Sequence, residues 1–113
     1  MSSLAFTKDQ VLETFINDDE LFSESVNLFL ENVQTRLATL KQAVTARNVD
    51  VIMAEAHTIK GMMGYFTAGP PYEAAKKLEF MGREKNVDGV DEALADLVDN
   101  LDKLRVVMEG WLA

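Results

Sequence analysis

His57 is the only histidine in the chain, and its neighbours read Ala56-His57-Thr58-Ile59-Lys60-Gly61-Met62-Met63-Gly64. On a helix, which turns about 100° per residue, Lys60 lies near −60° from His57, Gly61 near +40° and Gly64 near −20°. The apolar residues Ile52, Ala56, Ile59, Met63 and Phe66 gather instead near about −140°. This spacing predicts an imidazole turned away from the core, with a lysine one turn on. Imidazoles in water titrate near pH ~6.5, so at neutral pH one ring nitrogen keeps a lone pair. Such a nitrogen can attack phosphorus to give a phosphoramidate whose P–N bond transfers readily. Lys60 is placed to balance the roughly −2 charge that a phosphoryl group brings.

The two glycines on that face argue for an approaching partner. A glycine inside a helix costs about 1 kcal/mol relative to alanine. Gly61 and Gly64 together therefore weaken the helix unless something must come close to its backbone over His57. Other chemistries fail on inventory. With one histidine and no cysteine the chain has no zinc site of the usual kind, so no metal ligands are expected. No Ser-His-Asp spacing, Walker-type phosphate loop or ATP-binding kinase box is present. The chain reads as a phosphocarrier with no cofactor of its own, not as an enzyme.

The elements that must position these residues are all helical. Apolar residues recur at helical spacing nearly everywhere, and no segment alternates with period two. A short helix is expected over about 7–16, where Thr7 and Gln10 have capping-box spacing. A long one follows over about 20–46, with Phe22, Val26, Phe29, Val33, Leu37, Leu40 and Val44 as its stripe. Asn48 should cap a third helix reaching about Phe66. Pro70 and Pro71 suit the first turn of a fourth, which runs to about Lys85 and buries Ala74, Ala75, Leu78 and Met81. A turn over 86–89 precedes the last helix, about 90–112, with Val90, Leu94, Leu97, Leu101, Leu104, Met108 and Trp111 in heptad-like positions. The expected fold is all-α: an antiparallel up-down four-helix bundle with a short additional N-terminal helix.

At 113 residues the chain fits a single domain over 1–113. It carries 19 acidic against 11 basic residues, net −8, which disfavours nucleic acid and anionic membrane as partners. With 48% apolar residues it is too hydrophobic for an acidic disordered tail. The first residues, MSSLAFTKDQVLETF, lack the basic and apolar regions of a signal peptide, and no run approaches the ~20 apolar residues of a membrane span. A cytoplasmic location is the expectation.

Ala-His-Thr-Ile-Lys-Gly resembles the A-H-x-[LI]-K-G signature of histidine-containing phosphotransfer (HPt) domains. Gly64 and the downstream Leu78-Glu79 also match, and the likeness covers essentially the whole chain. The resemblance implies a phosphorelay intermediate in two-component signalling. His57 would be the phosphorylation site, carrying phosphate between aspartates of response-regulator receiver domains, which hold the Mg²⁺. Lys60 would support the phosphoryl group, and Gly61 and Gly64 would give clearance for docking. In some relatives a glutamate at the Glu79 position hydrogen-bonds the imidazole and sets its tautomer. Related domains in chemotaxis-type sensor histidine kinases accept phosphate from an ATP-bound kinase domain instead. Met62, Met63, Tyr65, Phe66, Thr67 and Ala68, and the Gly69-Pro70-Pro71 connection that follows, depart from the family pattern.

Other readings stay open beside this one. A helical scaffold that binds a partner helix without phosphate is the alternative. The stripe from Val90 to Trp111 could mark a coiled-coil dimer, although intrachain packing explains it and a monomer is expected. Met53 falls on the His57 face as part of an apolar rim. Lys76, Lys77, Arg83 and Lys85 form a modest basic cluster, read either as a solvated face or as a surface for an acidic receiver.

Overall fold

The computed structural model describes residues 19–63 and 69–112. Four helices follow in order: α1 Asp19–Ala46, α2 Val49–Met63, α3 Pro70–Arg83 and α4 Val90–Leu112. The helix expected over 7–16 and the positions Gly64 and Phe66 lie outside the described residues, as does the side chain of Trp111. Each helix packs on its neighbours in chain order, and α4 closes the ring against α1. The short links in sequence and the cross-helix pairs make successive helices antiparallel, so the described residues form the expected all-α up-down bundle.

The core follows the periodic stripes. All seven predicted α1 residues are buried, as are Ile52, Ala56, Ile59 and Met63 of α2. Ala74, Ala75, Leu78 and Met81 of α3 join them, with Val90, Leu97, Leu101, Leu104 and Met108 of α4. Removing such side chains from water is the main stabilising term, about 1.5–3 kcal/mol for each large one. One expectation needs correcting: Leu94 is only half-buried, and Ala93 takes the core position beside it. Leu94 and Val98 instead line a shallow groove with Lys41 and Val44, between α1 and α4.

Local signals set the helix ends that hold the site. The Asn48 side chain accepts the Val51 N–H at 3.3 Å, the cap expected for α2. Gly69 precedes α3 and Pro70 opens it, where a missing N–H costs nothing. The connections after α1 and α3 share one geometry. Arg47 (φ 57°) and Lys85 (φ 56°) are left-handed, and the next residue in each case donates back to a carbonyl five positions earlier: Asn48 to Ala43, Asn86 to Met81. The left-handed residue at Lys85 stops α3 at Arg83, two residues before the expected end. Arg47 also donates to the Val44 carbonyl and, through two bonds of 3.0 and 2.8 Å, to Asp91 at the start of α4.

α2 and α3 meet along a seam that narrows at Gly82. A Cβ built on Gly82 would lie 2.7 Å from Met53 N, 2.8 Å from Val49 O and 2.9 Å from Met53 Cα. These are backbone atoms, so the two helices touch there main chain to main chain. The absence of a side chain at Gly82 makes that approach possible, because even a Cβ there would hold the helices apart.

Candidate functional site

One turn along the seam from Gly82, four side chains converge. Glu79 lies on α3 with its side chain only 4% exposed. Its Oε2 is 2.5 Å from His57 Nδ1, and its Oε1 is 2.6 Å from Lys60 Nζ. Arg83, the next turn of α3, brings a guanidinium nitrogen to 3.3 Å from Oε2. The exposures grade outward: Lys60 22%, Arg83 56% and His57 67%. A buried carboxylate thus sits under an imidazole that faces solvent.

The electrostatics fix the proton. Burial by itself pushes the Glu79 carboxyl upward, because a charge leaving water loses solvation. Hydrogen bonds from Lys60 and His57, with the charge of the same two groups, outweigh burial and hold it below the usual carboxylate range. Glu79 is therefore ionised at neutral pH and has no hydrogen to give. The bond to His57 requires Nδ1–H as its donor. In the neutral ring, that leaves the lone pair on Nε2.

The structure brings together three of the five expected site residues: His57, Lys60 and Glu79. Gly61 is exposed, and the place a Cβ would take is open, with nothing within 4 Å. Gly64 lies outside the described residues. The spacing predicts a positive charge on the His57 face, and the structure adds that the Lys60 ammonium is engaged by Glu79. Met53 is half-buried, with its backbone against Gly82. Of the basic cluster, Arg83 turns to Glu79, Lys76 and Lys77 stay exposed on α3, and Lys85 belongs to the following turn. On the other flank of His57 a polar groove between α1 and α2 is lined by Asn32, Thr35, Arg36, Thr58 and Met62.

Sequence reasoning missed Gly82 and the role of Arg83 as a second cation on Glu79, beside Lys60. A signal for the first was present: Ala75, Leu78 and Gly82 share one apolar stripe of α3, and a glycine on such a stripe marks a close helix approach. The second was legible only in part, since an i,i+4 Glu–Arg pair is common on any exposed helix.

No group of three or more His, Cys, Asp or Glu among the described residues is arranged to hold a metal ion. No described helix is long and apolar enough to cross a membrane. These features describe an all-α bundle that presents one solvent-facing histidine. The chain belongs to the Hpt domain family, whose match covers residues 24–106. Membership carries histidine phosphotransfer in phosphorelay signalling as the family's general role, exercised by phosphocarriers without kinase motifs of their own. Comparison with curated proteins and with solved structures returns no match.

Proposed function

We propose that His57 is the phosphoryl-accepting residue and that Nε2 is its reacting atom. The chain would serve as a phosphorelay intermediate, taking the group from an aspartyl phosphate of one receiver domain and giving it to the aspartate of another. One observation carries this reading: the ionised, buried Glu79 holds His57 by Nδ1 while the rest of the ring stands in solvent.

The step balances at this site. The Nε2 lone pair forms the P–N bond as the bond from phosphorus to the aspartate oxygen breaks, and the leaving carboxylate takes that electron pair. The Nδ1 proton stays where it is. The ring becomes cationic as its lone pair is drawn into the new bond, and Glu79 against Nδ1–H balances that charge. Oppositely charged groups fixed in place before reaction cost little reorganisation when the charge develops. The same cationic ring is a good leaving group, so the phosphoryl group can pass on. Lys60 lies beside the ring and offers a positive charge to the phosphoryl oxygens. Open space over Gly61 suits a receiver that must bring its aspartate to within bonding range of Nε2.

Phosphorus NMR after incubation with phosphoramidate tests the assignment. An acid-labile, base-stable signal that is absent from His57→Gln supports it. Equal labelling of that variant would assign the chemistry elsewhere. Labelling of neither protein, by phosphoramidate or by a phosphorylated receiver with Mg²⁺, would favour a scaffold bundle.

A further inference from the structure

We propose that Gly82 is a positioning residue for His57. The main-chain contact it permits between α2 and α3 sets the reach of Glu79 to Nδ1, and so decides which ring nitrogen is free. This deepens the phosphocarrier reading and rests on it for its functional consequence.

The register carries the argument. Gly82 lies three residues after Glu79 on α3, and Met53 lies four residues before His57 on α2. In an antiparallel pair these are the same step along the seam, so the Gly82–Met53 contact sits one turn from the Glu79–His57 bond. A methyl group at position 82 would meet Met53 N at 2.7 Å, Val49 O at 2.8 Å and Met53 Cα at 2.9 Å. None of these is the end of a flexible side chain that can swing aside. The helices must separate by on the order of 1 Å to restore ordinary contact distances. The bonds from Glu79 to His57 and Lys60 are 2.5 and 2.6 Å, and a similar displacement takes both past good hydrogen-bonding range. Glu79 has little room to compensate, because its side chain is buried and tied at both oxygens.

Gly61 makes the contrast plain. It is also a helix-interior glycine, on the helix that bears His57, yet a Cβ there meets nothing within 4 Å. The two glycines therefore do separate things: one leaves room outside the bundle, and the other draws two helices together within it.

The test is Gly82→Ala in the full chain, read first in the unphosphorylated protein by nitrogen-15 shifts of the imidazole. The wild type should show Nδ1 protonated, and Gly82→Ala should show a mixture of the two tautomers while remaining helical. Phosphorylation by phosphoramidate should slow several-fold. Leu101→Ala, which weakens the core on α4 away from the seam, should keep the wild-type nitrogen shifts. In a Glu79→Gln background Gly82→Ala should cause no further slowing, whereas a merely structural effect would add to it. Glu79→Asp, which withdraws the carboxylate by one methylene and leaves the seam alone, should give the same mixed tautomers. That variant keeps the idea testable if Gly82→Ala does not fold. Wild-type nitrogen shifts in a folded Gly82→Ala, or in Glu79→Asp, would overturn the proposal. Because the shifts are read without phosphate, that outcome is distinct from failure of His57 to accept a phosphoryl group at all.

Discussion

Glu79 Oε2 lies 2.5 Å from His57 Nδ1, and the two side chains are at opposite extremes of exposure, 4% and 67%. A buried carboxylate under an exposed imidazole holds the ring by one nitrogen and, in the proposed reaction, leaves the other to act as the nucleophile. Lys60 and Arg83 stabilise the ionised carboxylate that does this. The site is thus one negative charge below the surface, with three nitrogen-bearing groups arranged around it.

Glu79→Gln keeps the volume and removes the charge. The amide can still meet Nδ1, but it no longer balances the positive ring that forms with the P–N bond. Phosphorylation by phosphoramidate should fall about tenfold or more, in line with other charge-stabilising groups in reaction sites. Unfolding should also become easier by roughly 1–3 kcal/mol, because Lys60 and Arg83 lose the partner of charge-assisted bonds. Stopped labelling time courses and urea titrations measure the two effects separately.

The depressed Glu79 carboxyl makes a signed prediction about acid. In the unfolded chain the group takes up its proton at the ordinary value, near pH ~4.3, and in the folded chain only at lower pH. Between those points the unfolded state binds more protons, so stability rises with pH. Its contribution is fully present above about pH 5 and is lost as pH falls through the folded value. Urea midpoints measured from neutral pH down to about pH 3 should fall less steeply for Glu79→Gln than for the wild type. Parallel curves would mean that Glu79 is not held in its ionised form.

Gly61→Ala should separate stability from docking. With open space around the position, the substitution recovers helix propensity of up to about 1 kcal/mol. Thermal unfolding should shift upward by a few degrees. Labelling by phosphoramidate should be unchanged, since a small donor needs no clearance, while transfer to a receiver domain should slow. Equal transfer rates would remove the docking role from this glycine.

The two left-handed basic residues should answer differently to glycine. Lys85→Gly relieves an unfavourable backbone conformation and should stabilise the chain by about 0.5–1 kcal/mol, net of the greater freedom of the unfolded glycine. Arg47→Gly relieves the same conformation but deletes the bonds to Val44 and Asp91. Its midpoint in urea should rise less than that of Lys85→Gly, or fall.

Much of the site was legible because its residues are close in sequence. His57, Lys60 and Gly61 share one helix, and helical geometry converts their spacing into a common face without knowledge of any other element. The same holds for the stripes of α1 and α2, where the described positions are all buried as expected. Leu94 shows where such reading fails. Its spacing is correct, yet burial needs a neighbour opposite it, and Leu94 lines an open groove between α1 and α4 instead.

Periodicity and capping thus determined the helices, their order and the histidine face, because each depends on contacts within a few residues. Only the tertiary structure decided that Glu79 is buried, that Lys60 is already engaged and that Nδ1 is the nitrogen held. Those facts arise between residues 19 and 22 positions apart, across a seam whose closeness at Gly82 depends on the missing side chain there rather than on any local propensity. A glutamate on a helix looks the same in sequence whether it faces water or a neighbouring histidine, and the closeness of the facing helix makes the difference.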